Sequence, residues 1–185
     1  MIRDILSEAE SKMKSTLHVL EEDLSKIRTG RASPGLVEKM PIEYYGTPTP
    51  LNQLANISVP DAHTIAIRPY DQSTLANIER AIQASDIGLS PNNDGQIIRL
   101  NIPPLTQERR KEIVKQVHKR IEEARVSVRN IRRSAIDTIR EFEKEKEFTE
   151  DESHAGQDDV QKLTDKYIEK VEEASKQKEK EIMDF

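Results

Sequence analysis

The chain of 185 residues contains no cysteine and no tryptophan, and aromatic residues make up only 4% of it. Without cysteine the protein has no disulfide, no thiolate nucleophile and no cysteine-based zinc site, which suits a reducing compartment. Charged residues reach 34%, so one large close-packed globule is not expected. A helical bundle with long solvated faces fits this composition better.

Long apolar runs are missing as well. No stretch approaches the ~20 apolar residues of a membrane span. Charged residues interrupt the apolar ones at the N-terminus, unlike in a secretory signal. We therefore expect a cytoplasmic protein that makes no membrane contact.

Proline and glycine are almost confined to one region. All 9 prolines and 5 of the 6 glycines lie between Gly30 and Pro104. Short runs of branched and aromatic residues there predict strands, and a helical stripe begins near Leu75. The predicted strands are 37–45, 57–59, 64–70 and 96–102, with turns at 46–50, 60–62 and 91–95. This region is expected to form a small α+β module.

Three long amphipathic helices flank the module, at residues 2–28, 105–148 and from 149 onward. Thr149 and Glu152 have the spacing of a capping box that opens the third helix. Because each helix carries one apolar stripe, the three can bury their stripes only against one another. The predicted fold is mainly α: an antiparallel three-helix bundle (1–30 and 105–185) with an inserted small α/β domain (31–104).

Two chain segments join the predicted domains. Gly30 is conformationally permissive, whereas Pro103 and Pro104 are stiff and extended. This pairing predicts a hinge that swings or rotates rather than tumbling freely. Its residues are Thr29, Gly30, Arg31, Ala32, Ile102, Pro103 and Pro104.

The second helix carries a basic face beside its apolar one. On a helical wheel of ~100° per residue, seven basic residues fall within a sector of roughly 100°. This basic stripe consists of Lys111, His118, Arg125, Arg129, Arg132, Arg133 and Arg140. Leu105 to Arg140 contains 11 Lys/Arg and 5 Asp/Glu, although the whole chain has a net charge of −5. This uneven distribution of charge along the chain, more than the net charge, indicates which kind of partner the protein binds.

Two interpretations of the basic stripe are open. It could be a solvated or protein-docking face, as most charged helix faces are. We favour a nucleic-acid surface because arginine, segregated from acid along a rigid helix, suits phosphate contacts. The scarcity of aromatic residues argues for recognition of phosphates and shape in folded RNA or duplex, not for stacking on single strands.

No catalytic or cofactor constellation stands out. The four histidines, at 18, 63, 118 and 154, have no metal-ligand spacing. Gly30 to Gly35 has the glycine spacing of a phosphate-binding loop but lacks its lysine. The run that begins at Asn92 resembles part of an EF-hand loop, but its position 12 would be Asn101 and not the bidentate glutamate that binds calcium. We expect no enzyme activity, no metal and no cofactor.

Several strings together resemble the bacterial ribosome recycling factor family. They are Ile27-Arg28-Thr29-Gly30-Arg31-Ala32-Ser33-Pro34, Tyr44-Tyr45-Gly46, Pro91-Asn92-Asn93-Asp94-Gly95, Ile102-Pro103-Pro104-Leu105-Thr106-Gln107-Glu108-Arg109-Arg110-Lys111 and Val128-Arg129-Asn130-Ile131-Arg132-Arg133. Their order and spacing match over the whole chain. Ser134 and the segment His154-Ala155-Gly156 depart from positions that are frequently charged in the family.

The resemblance implies a three-helix-bundle domain and a small α/β domain in an L shape. It implies a monomeric translation factor that works with elongation factor G and GTP after termination, splitting ribosomes and freeing messenger RNA. The bundle would dock on large-subunit ribosomal RNA. The candidate RNA-binding residues are Arg132, Arg129, Arg133, Arg125, Arg110, Lys111, Arg28 and Arg31. A helical adaptor or chaperone that binds protein through its charged faces is the alternative.

Overall fold

The computed structural model describes residues 1–183, which contain five α-helices, two short 3-10 helices and six strands. In chain order the α-helices and strands are α1 (Ile2–Ser25), β1 (Pro41–Tyr44), β2 (Thr47–Pro50), α2 (Leu51–Leu54), β3 (Ala55–Asp61), β4 (Thr64–Pro69), α3 (Leu75–Ala84), β5 (Pro91–Asn93), β6 (Ile98–Asn101), α4 (Gln107–Lys144) and α5 (Glu150–Met183). The mainly α fold with an inserted α+β module is confirmed. None of these helices combines the length and apolar character that crossing a membrane requires.

The chain divides into two compact units, one of residues 1–24 with 111 onward and one of residues 25–110. Residues 25–30 and 105–110, which the sequence placed with the bundle, fall in the second unit. The domain boundaries at 30/31 and 104/105 therefore stay a prediction.

The helical unit packs α1, α4 and α5 around a shared apolar core. Thr16 contacts Ser127 at 3.2 Å between their hydroxyl oxygens, and Asp23 contacts Arg120 at 3.8 Å. Because the later residue of α1 meets the earlier residue of α4, these two helices are antiparallel. The buried residues that fill the core include Ala9, Met13, Ala135, Ile139, Val128, Val160 and Tyr167.

The start of α5 is stabilised by the predicted capping box. Glu152 accepts a hydrogen bond from the Thr149 backbone N–H at 2.8 Å, and its own N–H donates to the Thr149 hydroxyl at 3.2 Å. Gly156 lies early in this helix, where glycine is expected to lower helix stability by up to about 1 kcal/mol relative to alanine, and it packs closely against the core. A Cβ at that position would lie 3.3 Å from Cδ1 of Ile139, a fully buried side chain.

The α/β unit holds a four-stranded antiparallel sheet in the order β3-β4-β6-β5 and a separate β1-β2 hairpin. Ile78 and Ile82 of α3 are buried in the same core as Ile65, Ile67 and Ile98 of the sheet. Two segments predicted as turns are strands here, namely β2 and β5. Their prolines suggested turns, because proline has no backbone N–H to donate to a neighbouring strand. Proline is nevertheless tolerated on edge strands such as β5 and in a two-stranded hairpin.

Both chain connections are hydrogen-bonded to the turn between β3 and β4. The Ala32 N–H donates to the Ala62 carbonyl at 2.8 Å, and the Ile102 N–H donates to the His63 carbonyl at 2.7 Å. Adjacent carbonyls of one turn therefore hold one residue from each connection.

A charge at the centre of the helical core should unfold this unit. We expect Val128→Asp, at a side chain that is 1% exposed, to cost at least about 3 kcal/mol because the carboxylate has no partner there. Val126→Asp is the matched control, since Val126 lies two positions away and is 45% exposed. Circular dichroism melting should show a large loss for the first variant and almost none for the second. Equal melting temperatures would mean that the face assigned to the core is wrong.

Candidate nucleic-acid interface

The basic stripe lies on the side of α4 that faces α5. His118 of α4 lies 3.6 Å from Glu179, and Arg125, seven residues later, contacts Glu172, seven residues earlier on α5. Arg132, a further seven residues along α4, contacts Gln161. The antiparallel seam between the two helices therefore brings residues of α5 against three members of the stripe that are spaced seven residues apart.

Arg125 is neutralised within the protein. Its Nε donates to Glu172 at 2.6 Å, and its Nη1 donates to Glu122 at 3.0 Å. The hydrogen bonds to Glu122 and Glu172 raise the pKa of the Arg125 guanidinium. The side chain is only 28% exposed. Arg125 thus joins α4 to α5, and little of its charge is left for an external anion.

The next residues of the stripe are progressively less compensated. Arg129 is 51% exposed and has one distant carboxylate, Glu122 at 3.7 Å, which it shares with Arg125. Arg132 donates from Nη1 to the neutral side-chain oxygen of Gln161 at 3.2 Å. Within residues 1–183, neither Arg132 nor the exposed Arg133 is paired with a carboxylate.

Arg132 has a further unusual property. Its Nε is buried and has no hydrogen-bond partner among the described residues. A buried donor without an acceptor is costly, and such groups in native structures call for an explanation. That atom is closed to an external ligand. What Arg132 offers an anion such as phosphate is the charge of its guanidinium, because the side chain that it contacts among the described residues, Gln161, is neutral.

The other candidate residues are spread between the two units. Lys111 is exposed and belongs to the helical unit. Arg28, Arg31 and Arg110 belong to the α/β unit. Arg28 is half-buried with its guanidinium close to Gly88, and Arg110 is only 9% exposed. The structure therefore brings Arg125, Arg129, Arg132 and Arg133 together on α4, but not all eight candidates.

Sequence reasoning missed the part that α5 contributes. Glu172 and Glu179 are seven residues apart, as are His118 and Arg125 on α4, and this matched spacing could have indicated the pairing. The contact of Gln161 could not be predicted in this way, because a neutral side chain on an exposed helix face carries no charge pattern that points to a partner. Within residues 1–183, no group of three or more His, Asp or Glu side chains could hold a metal ion.

Comparisons with known proteins agree on one family. The family model described as ribosome recycling factor matches residues 20–183. The ribosome-recycling factor of Syntrophomonas wolfei is 53% identical over 184 residues and covers 100% of both chains. That of Carboxydothermus hydrogenoformans is 54% identical over 183 residues, covering 99% of both.

Solved structures agree as well. A solution structure of the ribosome recycling factor aligns with a TM-score of 0.83 and 43% identity, covering 100% of this chain and 98% of that one. A second structure gives models for the T. thermophilus ribosome recycling factor and the E. coli elongation factor G bound to the E. coli post-termination complex. It aligns with a TM-score of 0.72 and 43% identity, covering 99% of both chains.

The ion-paired Arg125 and the exposed Arg133 should contribute differently to the free energy of unfolding. We expect Arg125→Ala to lower the free energy of unfolding by up to about 1 kcal/mol, because it removes a link between α4 and α5 at a partly exposed site. Arg133→Ala should leave stability unchanged, since Arg133 has no partner to lose among residues 1–183. Urea titrations of both variants provide the test. A larger loss for Arg133→Ala would contradict the assignment of roles.

Proposed function

The chain belongs to the ribosome recycling factor family, and we propose that it frees messenger RNA after termination by splitting the post-termination ribosome together with elongation factor G and GTP. The related T. thermophilus factor in a post-termination complex with elongation factor G supports this assignment of partners. The observation in this chain that carries the proposal is the row of arginines on α4 with little or no compensation. In this proposal the protein acts by binding and motion rather than by catalysing a covalent step.

The proposed RNA contact centres on Arg129, Arg132 and Arg133 of α4. They are neighbours on one rigid helix. Within residues 1–183, Arg132 and Arg133 are not paired with any carboxylate. Large-subunit ribosomal RNA offers phosphates along a folded surface, which a rigid row of guanidinium groups can meet without base contacts. The secondary candidates are Lys111, Arg28, Arg31 and Arg110. Lys111 lies near the start of α4, far from the three arginines, and the other three lie in the α/β unit.

The proposed mechanism anchors the helical domain on RNA while the α/β domain moves when elongation factor G engages it. The joint would be Thr29–Ala32 and Ile102–Pro104. Gly30 has φ +81°, and a Cβ there would come within 3.2 Å of Leu105 Cγ. A side chain at Gly30 would therefore disturb both connections at once, through backbone strain in one and steric contact with the other.

The RNA contact predicts a graded loss of ribosome affinity. Arg132→Ala should weaken binding to large ribosomal subunits about tenfold at moderate salt, and Arg129→Ala somewhat less. Each lost phosphate contact should flatten the slope of log K against log salt by roughly 0.7–0.9. Arg120→Ala is the control, because Arg120 is also exposed on α4 but is paired with Asp23 and Glu123.

Co-sedimentation across a salt series measures both quantities. The melting temperature of each variant should stay close to that of the unmodified chain. Affinity and slope unchanged in Arg132→Ala and Arg129→Ala would reduce the stripe to a solvated face and support the protein-docking alternative.

The hinge predicts that binding and splitting can be separated. Gly30→Val should leave binding to large subunits nearly intact but slow splitting at least severalfold. Gly95→Val is the matched control, since Gly95 also has positive φ (+92°) but no atom within 4 Å of an added Cβ. Light scattering with elongation factor G and GTP reports splitting in the same buffer as binding. If Gly30→Val splits ribosomes at the unmodified rate, the connections are passive tethers.

A further inference from the structure

We infer that Gln161 of α5 is a positioning residue for the proposed RNA contact, because it keeps the neighbouring Asp165 from neutralising Arg132. The inference rests on the proposed function, since it concerns the arginine at the centre of the proposed contact. It adds a residue on a different helix from the basic stripe. Gln161 itself need not touch RNA.

The pairing pattern along the α4–α5 seam leads to this residue. His118 meets Glu179, and Arg125 meets Glu172, so each step of seven residues forward on α4 matches seven backward on α5. The next step pairs position 132 with position 165, which is an aspartate. On this pattern Arg132 would be neutralised by Asp165, as Arg125 is by Glu172.

The structure shows a different arrangement at this step. The Gln161 side-chain Nε2 donates to Asp165 Oδ1 at 2.8 Å, and its Oε1 accepts from Arg132 Nη1 at 3.2 Å. The amide thus lies between the two charged groups and satisfies one donor of the arginine and one acceptor of the aspartate. Because Asp165 takes the amide N–H₂, the amide oxygen is oriented toward Arg132.

The electrostatic consequence is specific to Arg132. A neutral acceptor fixes the guanidinium in place without cancelling its charge, whereas a carboxylate would do both. The net positive charge available to a phosphate is therefore retained. Gln161 accomplishes this on an exposed face of α5, so its loss should not disturb the core.

A double-mutant cycle tests the inference on the full-length chain with large ribosomal subunits as the probe. Gln161→Ala should weaken binding three- to tenfold and flatten the salt slope toward that of Arg132→Ala, because Arg132 is then free to pair with Asp165. In an Asp165→Asn background, Gln161→Ala should have no effect beyond twofold, since no carboxylate remains to capture the arginine. In an Arg132→Ala background it should also have no effect.

Gln177→Ala is the matched control. Gln177 donates to Glu181 at 3.3 Å with the same four-residue spacing on the same helix, but no arginine contacts it among the described residues. It should bind like the unmodified chain. Gln161→Met, which keeps the side-chain length and lacks the amide, should reproduce Gln161→Ala, and unchanged melting temperatures exclude unfolding as the cause.

The possible results separate the two claims. If Arg132→Ala itself has no effect on binding, the proposed RNA contact is wrong. If Arg132→Ala weakens binding but Gln161→Ala behaves like Gln177→Ala, the contact stands and the role of Gln161 is overturned. An equal loss from Gln161→Ala in the Asp165→Asn background would also overturn it, because the residue would then act by some route other than screening Asp165.

Discussion

Burial of the apolar stripe of α4 is the constraint on which the helical unit depends. Ile113, Val117, Ile121, Val128 and Ile139 are each at most 3% exposed, and only α1 and α5 are available to cover them in this unit. Once the stripe faces inward, every other face of α4 has a determined position, because side chains on a rigid helix cannot rotate independently around its axis. The basic stripe consequently runs along the side of α5. Core packing thus decides which arginines have partners.

The charge of α5 shapes the candidate interface as much as the charge of α4 does. Glu172 compensates Arg125 and Glu179 lies beside His118, so the portion of the stripe nearer the start of α4 is partly neutral. Beyond it, Arg132 contacts the neutral side chain of Gln161, and Arg133 has no partner among residues 1–183. The effective positive surface is therefore less continuous than the sequence pattern indicates. A long basic stripe on one helix does not define a binding surface until its neighbouring helix is known.

The elements that could be predicted from the sequence are those governed by local rules. The 3.6-residue period predicted α1, α4 and α5, and the capping box at Thr149 predicted where α5 begins. Strands β2 and β5 were missed because their pairing depends on distant partners, and proline at Pro48 and Pro91 suggested turns. In the site, the exposure of Arg129 and Arg133 follows from helical phase. The burial of Arg110 and the bridge formed by Gln161 depend on tertiary neighbours, which no local pattern encodes.

The turn between β3 and β4 should tolerate few insertions or deletions. Its adjacent carbonyls, at Ala62 and His63, accept hydrogen bonds from both connections, Ala32 and Ile102. An inserted or deleted residue here would change the spacing between the two connections as well as the local hairpin. The β1–β2 hairpin ends at Tyr45 and Gly46, where Tyr45 is 84% exposed and an added Cβ at Gly46 would meet no atom within 4 Å. The tip of the β1–β2 hairpin can therefore change in length without disturbing the two connections, whereas the turn between β3 and β4 cannot.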